Sequence, residues 1–263
     1  TPAMMPTSYV RAGFMRGLEH EARLGVNPFK SGIIGSSDAH NSLPFVEEDN
    51  FFGKFPGQEP SPDRWKQKSS LGEGEGDARV TWQYLAAGYA AVWATENTRE
   101  AVFDAMMRRE TYGTSGSRMT VRFFGGYDFT PEDAQSRYLA EAGYAKGVPM
   151  GGDLKPAAAG KSPTFLVAAL KDPHGANLDR IQVVKGWLDT SGKAQEKVYD
   201  VVWAGSRKPD KDGKLPPVGD TVDVARAAFT NTIGSAELAA VWKDPDFQPR
   251  QRAFYYVRVI EIP

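Results

Sequence analysis

An aspartate and a histidine two residues apart, Asp38 and His40, are the side chains whose types and spacing point most directly to chemistry. They follow a short apolar run at residues 32–35 and two serines, Ser36 and Ser37. A carboxylate and an imidazole on one side of the backbone suit a hard or borderline divalent metal such as zinc, manganese or iron. The alternative interpretation is an acidic loop residue that has a histidine nearby and no ligand role.

The elements before Asp38 and His40 would have to position them. The apolar run at residues 32–35 predicts a buried parallel strand, because such strands are short and deliver polar groups at their carboxyl ends. In an extended backbone, residues two apart point to the same side, so this strand would present both side chains together. A helix capped by Thr7 or Ser8 is predicted to run to about Leu24, because apolar residues recur at spacing four from Val10 to Ala22 and Gly25 can end the helix. A helix followed by a strand is the αβ half of an α/β repeat.

A second strand end is predicted to carry Arg118. The sequence favours a strand at residues 89–93, a helix from a capping box at Asn97 to about Arg109, and another strand at residues 112–116. A guanidinium at that end would hold an anion through two hydrogen bonds. The other interpretation of Arg118 is an ion pair with a surface carboxylate.

A long connection, residues 41–80, leaves the same predicted strand end as Asp38 and His40. It is rich in proline, glycine and acidic residues. Connections of this length inside a compact domain are usually functional or disordered. We therefore expect it to form a lid over the site.

From Met119 onward the chain is rich in β-branched and aromatic residues, in runs separated by turn signals. One short helix is predicted there, at residues 235–242. Sequential strands without crossover helices predict antiparallel pairing in a sandwich-like module. The predicted fold class is therefore α/β plus all-β, with a division into residues 1–118 and 119–263. The strands are predicted at residues 119–124, 164–170, 180–188, 197–203, 221–229 and 253–262.

Composition excludes several classes of function. A net charge of −1, from 32 basic and 33 acidic residues, gives no electrostatic footprint for nucleic acid. No apolar run approaches the length that spans a bilayer. The absence of cysteine excludes disulfides, thiol catalysis and cysteine-bound zinc. A catalytic metal generally needs three or more protein ligands, and the chain has only three histidines, so the expected metal site is incomplete within this chain.

The run Gly35-Ser-Ser-Asp-Ala-His40-Asn41 resembles the last metal-binding motif of the PHP superfamily, which is named for polymerase-associated domains and histidinol phosphatases. More narrowly, much of the chain resembles a large bacterial family of PHP-related proteins that is catalogued only as a domain of unknown function. The segments that carry this narrower resemblance are residues 25–30, 47–54, 97–101, 108–116, 122–126, 185–189, 214–219 and 252–258.

The PHP resemblance implies a partial (β/α) barrel whose metals lie at the C-terminal ends of the strands. It implies hydrolysis of phosphoesters by metal-activated water, with a small-molecule, phosphorylated substrate. Asp38 and His40 match the motif and would each bind the divalent metal. Arg118 is not part of the motif, but from its predicted strand end it would neutralise the phosphate of such a substrate. An exported or periplasmic location is expected only by analogy with the family that the chain resembles.

The chain lacks counterparts of the early His-x-His motif and the middle acid of the PHP superfamily. We therefore expect it to be the C-terminal portion of a longer protein, whose missing N-terminal half completes the metal site. The rival hypothesis is a non-catalytic binding or structural module, with the β-rich part as its recognition surface.

Overall fold

The computed structural model describes residues 7–43, 53–55, 61–68, 80–84, 88–156, 158 and 160–263. These residues form a mixed, strand-rich fold with four α-helices, and none of their antiparallel sheets closes into a barrel. The expected lid at residues 41–80 lies mostly outside the described ranges. None of the helices in the described ranges is long and apolar enough to cross a membrane.

The helices are α1 (Val10–Leu24), α2 (Arg99–Met107), α3 (Pro131–Gln135) and α4 (Leu139–Lys146). A short 3-10 helix covers Thr81–Gln83. The strands are β1 (Tyr89–Val92), β2 (Thr111–Thr114), β3 (Thr120–Gly126), β4 (Gly147–Pro149), β5 (Thr164–Leu170), β6 (Leu178–Leu188), β7 (Ala194–Trp203), β8 (Val222–Asp223), β9 (Ala228–Phe229), β10 (Glu237–Lys243) and β11 (Ala253–Glu261).

The chain divides into two compact units. The larger contains Thr1–Gly32, Met106–Glu110 and Met119–Pro263. The smaller contains Ile33–Ala105 and Thr111–Arg118, and so holds Asp38, His40 and Arg118.

The larger unit is built on two antiparallel sheets, ordered β10-β5-β3-β4 and β11-β6-β7. Aromatic side chains join the two sheets. Phe165 of β5 contacts Tyr255 of β11 with ring centroids 4.4 Å apart, and Trp242 of β10 contacts Tyr199 of β7 at 4.9 Å. Because side chains alternate along a strand, the neighbouring residues point to the outer faces. The larger unit therefore contains the sandwich-like packing that the strand pattern favours.

Helices cover the outer faces of both sheets. Phe14 of α1 packs on Phe254 of β11, with centroids 5.3 Å apart. On the other side, Phe124 of β3 joins Phe129 and Leu166 in a buried apolar cluster against α3 and α4. The order of layers in the larger unit is therefore α1, the three-stranded sheet, the four-stranded sheet, then α3 and α4.

A buried ion pair lies between the sheets. The Lys185 ammonium donates to Asp244 Oδ2 at 2.7 Å and to the Asp246 carbonyl oxygen at 2.8 Å, and the side chains of Lys185 and Asp244 are 2% and 0% exposed. The Tyr255 hydroxyl donates to the same carboxylate at 2.7 Å. Burial and this carboxylate raise the pKa of Tyr255 well above its usual value. Buried charges are tolerated only when they are paired and hydrogen-bonded in this way.

The predicted parallel strand at residues 32–35 was wrong, because residues 31–39 carry no strand and the adjacent β1 and β2 pair antiparallel. The carbonyl oxygen of Ile33 accepts a hydrogen bond from the Thr111 side-chain hydroxyl at 3.0 Å instead of a ladder bond. A four-residue apolar run with glycine at both ends cannot be distinguished by periodicity from an irregular buried segment.

The predicted helix at residues 235–242 was also wrong, because β10 occupies this segment. Its alanine, leucine and glutamate residues favour helix, yet all seven of its residues pair with β5, from Glu237 opposite Leu170 to Lys243 opposite Thr164. Tertiary pairing has overridden intrinsic propensity.

The chain after Met119 also holds two helices that were not predicted, α3 and α4. Their signal was present in Thr130-Pro-Glu-Asp133, because Asp133 Oδ2 accepts from the Thr130 amide and proline takes the first helical position. The run at 221–229 forms two short strands, β8 and β9, and the other predicted strands after Met119 are confirmed.

Candidate functional site

The β1–β2 hairpin supports the segment that precedes Asp38. Gly35 lies so close to this hairpin that an added Cβ would stand 2.5 Å from the carbonyl oxygen of Tyr89 and 2.9 Å from that of Thr114. Only glycine allows the backbones to approach this closely. The predicted function of the apolar run, to position Asp38 and His40, is therefore served by direct packing on the hairpin and not by a strand.

Asp38 and His40 come together through a turn. Asp38 has φ of 52° and Ser42 has φ of 60°, both in the left-handed region that non-glycine residues seldom occupy. Aspartate tolerates this conformation better than most residues, because its short polar side chain bonds locally. The His40 Nε2 atom lies 3.5 Å from Asp38 Oδ1, and both side chains are more than half exposed. The expected proximity holds, although its predicted cause, an extended backbone, does not.

The separation of these two atoms suits two ligands of one metal. Metal bonds of about 2.0–2.2 Å at a tetrahedral angle place two ligand atoms about 3.4 Å apart. The same distance allows an ion pair when the imidazole is protonated. Within the described residues no group of three or more acidic, histidine or cysteine side chains could hold a metal. Asp38 and His40 therefore have the separation of two metal ligands, and a metal held here would need a third ligand from outside the described residues.

Lys54 supplies a cation to the other side of the carboxylate. Its ammonium bonds Asp38 Oδ2, while Oδ1 faces His40. The Lys54 side chain is 15% exposed and that of Asp38 57%, so the ammonium approaches from the protein side. The hydrogen bond and charge of Lys54, followed by the charge of His40, hold the pKa of Asp38 below its usual value. Asp38 is thus an anion at neutral pH.

Three consecutive residues, Gly53, Lys54 and Phe55, hold the turn from one side, and we call them the strap. The carbonyl oxygen of Gly53 accepts from Asn41 Nδ2 at 2.5 Å, and that of Lys54 accepts from the His40 amide at 2.8 Å. The Phe55 ring stacks on the His40 imidazole, with centroids 5.0 Å apart and an interplanar angle of 21°. Each residue of the strap therefore has its own contact with the turn.

Tyr84 supports the strap. Its ring meets the Phe55 ring edge-on, with centroids 6.1 Å apart and an interplanar angle of 82°. The Tyr84 carbonyl oxygen accepts a hydrogen bond from Arg64. Since edge-to-face is a favoured geometry for aromatic pairs, Tyr84 helps to fix the ring on which His40 stacks.

Arg118 lies over Tyr89 of β1. The centre of its guanidinium is 5.4 Å from the centroid of the Tyr89 ring, and Nη2 donates to the Tyr89 hydroxyl at 3.4 Å. The carbonyl group of Tyr89 is also the one against which Gly35 packs. Arg118 and the segment leading to Asp38 therefore share one supporting residue. The aromatic ring holds a guanidinium that remains exposed.

The other histidines lie in local structure. His20 Nδ1 is 3.1 Å from an Arg23 guanidinium nitrogen, one turn along α1. His174 lies in a turn in which its amide donates to Asp172 Oδ1 at 2.9 Å. Both contacts are local to the element that carries the histidine.

Sequence reasoning missed Lys54 and Phe55 as members of the site. They lie 16 and 17 residues beyond Asp38, in a connection without periodicity. The available sequence signal was Gly53, directly before Lys54 at the end of the segment 47–54. Its glycine permits the left-handed φ of 96° that the backbone adopts there.

Comparison with known proteins places the chain in a family. A family model described as "Protein of unknown function (DUF3604)" matches residues 1–263. Neither curated proteins nor solved structures gave a match. The expected membership in a family of unknown function is thereby confirmed, while the relation to the PHP superfamily stays a prediction. The chain belongs to the DUF3604 family of proteins of unknown function.

Proposed function

We propose that this chain contributes one edge of the active site of a PHP-like, metal-dependent phosphoesterase. Asp38 and His40 are two ligands of its divalent metal, which is zinc, manganese or iron. The observation that carries the proposal is the 3.5 Å separation of Asp38 Oδ1 and His40 Nε2 in an exposed turn. We also propose that residues 1–118 are the last part of a PHP-type (β/α) barrel, which an N-terminal half completes.

Each residue of the site has a chemical role in this proposal. The metal, when bound, supplies an activated water as nucleophile. Asp38 provides a carboxylate oxygen and His40 a neutral ring nitrogen. The Arg118 guanidinium offers parallel N–H groups to two oxygens of a phosphoester, the geometry in which arginine binds phosphate best. The Tyr89 ring beneath Arg118 restrains the guanidinium and lowers the entropy lost when the anion binds.

A second candidate function is a non-catalytic binding or structural module. The observation that favours it is the ion pair of Lys54 with Asp38, which satisfies the carboxylate without a metal. In that case the β-rich part of the chain is the recognition surface.

The two functions are distinguished by phosphodiesterase and phosphomonoesterase assays on the full-length protein, with added Mn²⁺ or Zn²⁺ and with chelator. The phosphoesterase proposal expects chelation to abolish activity, and expects Asp38→Ala and His40→Ala to do the same. Asp63→Ala and His174→Ala are the matched controls, since Asp63 also pairs with a lysine and His174 is an exposed turn residue. Activity unaffected by Asp38→Ala and His40→Ala would overturn the proposal.

A further inference from the structure

We propose that Lys54 and Phe55 are positioning residues that hold Asp38 and His40 in the geometry of metal ligands. This inference rests on the proposed function and deepens it, because it names the groups that orient the ligands. It follows from the contacts of the strap, which lies outside the motif that carries the PHP resemblance.

Lys54 determines which carboxylate oxygen of Asp38 faces His40. A carboxylate that rotates freely presents either oxygen in many orientations. The Lys54 ammonium bonds Oδ2 from the protein side, which leaves Oδ1 beside His40 Nε2. The ammonium also repels a metal ion, but it bonds Oδ2 and leaves Oδ1 as the oxygen that would bind the metal. Outer hydrogen bonds of this kind orient ligating carboxylates in metal sites.

Phe55 determines the plane of the His40 ring. The near-parallel stack at 21° restricts rotation of the imidazole, and the hydrogen bond from the His40 amide to the Lys54 carbonyl fixes the backbone beneath it. The two restraints act on the two ligands separately. Loss of either is expected to misplace one ligand atom and leave the other in place.

The test measures the affinity of the metal-free, full-length protein for Mn²⁺ by competition with a chelating dye. Lys54→Met and Phe55→Leu are each expected to weaken binding by about 10- to 100-fold, the usual effect of removing an outer partner of a metal ligand. Lys54→Arg should recover most of the affinity, since it restores a cationic donor to Oδ2. Thermal unfolding of each variant separates lost positioning from lost folding.

Lys66→Met is the matched control, because Lys66 pairs with Asp63 at 2.7 Å in the same unit and both side chains are exposed. It should bind Mn²⁺ as the wild type does. Binding by Lys54→Met that equals or exceeds that of the wild type would overturn the role of Lys54, and unchanged binding by Phe55→Leu would overturn that of Phe55.

The inference and the proposed function fail in different ways. If Asp38→Ala loses the metal while Lys54→Met and Phe55→Leu retain it, the ligand assignment stands and the positioning residues are wrong. If Asp38→Ala binds Mn²⁺ as tightly as the wild type, or the wild type binds none, both are wrong.

Discussion

Replacing Lys185 by methionine should destabilise the larger unit severely. The side chain keeps its length but loses the ammonium, so Asp244 becomes a buried carboxylate without a cation. Removing one partner of a buried ion pair costs about 3–5 kcal/mol. The contacts lead to a similar figure, because Asp244 Oδ2 and the Asp246 carbonyl oxygen each lose a donor and each loss costs about 1–3 kcal/mol.

A double-mutant cycle isolates the pair. Asp244→Asn removes the charge. Its remaining oxygen can accept from the Asp246 amide, as Oδ1 does, and its NH2 group takes the place of Oδ2, where it can donate to the Tyr255 hydroxyl oxygen. The double variant carries no buried charge, so it should be far more stable than the sum of the single effects predicts. Coupling of about 2–3 kcal/mol, at the upper end of the range for residues in one network, is expected.

Urea denaturation followed by tryptophan fluorescence measures these free energies of unfolding, and an unchanged m-value shows that a variant unfolds in the same way. Lys197→Met is the control: Lys197 pairs with Asp246 at the rim, where both side chains are about half exposed, so its loss should cost at most about 1 kcal/mol. A Lys185→Met cost no larger than that of Lys197→Met, or additive single effects, would refute the reasoning.

Three further predictions concern the described elements. Gly186→Ala should lower the free energy of unfolding by about 1–3 kcal/mol, because the added Cβ would lie 2.2 Å from a phenylalanine ring of β11. In the same urea titration, Gly13→Ala should raise it by about 0.5–1 kcal/mol, because Gly13 lies in α1 with open space around it. Thr98→Ala should lower the free energy of unfolding by about 1 kcal/mol and Asn97→Ala should hardly change it. The reason is that the Thr98 hydroxyl, and not Asn97, accepts a hydrogen bond from the amide of the third residue of α2. Equal effects of the two substitutions would contradict this capping assignment. Hydrogen bonds from Ser191 and the Lys193 amide lower the pKa of Asp189 to about 2, so its contribution to stability should be complete above about pH 4 and lost as the pH falls through about 2. In Asp189→Asn, the free energy of unfolding should therefore depend less on pH in that range. A pH dependence equal to that of the wild type would contradict this role of Asp189.

Local chemistry made part of the fold predictable. The stripe of apolar residues and Gly25 predicted α1, which ends with Gly25 at φ of 79°. The β-branched and aromatic runs predicted β5, β6 and β11. The capping box at Asn97 located α2 within two residues, but the structure gives the cap to Thr98, whose hydroxyl reaches the Ala101 amide. Boundaries of this kind depend on side-chain rotamers, which the sequence pattern does not specify.

Long-range pairing was not predictable from local patterns. The strand β10 has the composition of a helix, and its conformation is set by β5, which lies more than 60 residues earlier in the chain. The ion pair of Lys185 with Asp244 likewise joins residues 59 positions apart. Neither partner is marked as buried by its neighbours in the sequence, because lysine and aspartate are usually exposed.

The proximity of Asp38 and His40 was predicted, the residues that contact them were missed, and metal binding stays a prediction. Asp38 and His40 were found because their residue types and spacing suit a metal. Lys54 and Phe55 were missed because the turn at Asp38 brings distant residues to the motif, and left-handed conformations of aspartate leave no periodic signal.

The central claim is that Asp38 and His40 bind a divalent metal, and titration of the metal-free, full-length protein with Mn²⁺ tests it most directly. Free Mn²⁺ is measured by electron paramagnetic resonance for the wild type, Asp38→Ala, His40→Ala and the control His174→Ala. We predict a saturable Mn²⁺ site in the wild type and in His174→Ala. In Asp38→Ala and His40→Ala the affinity should fall by more than the about 10- to 100-fold that is usual when an outer partner of a metal ligand is removed. Equal binding by all four proteins would contradict the claim.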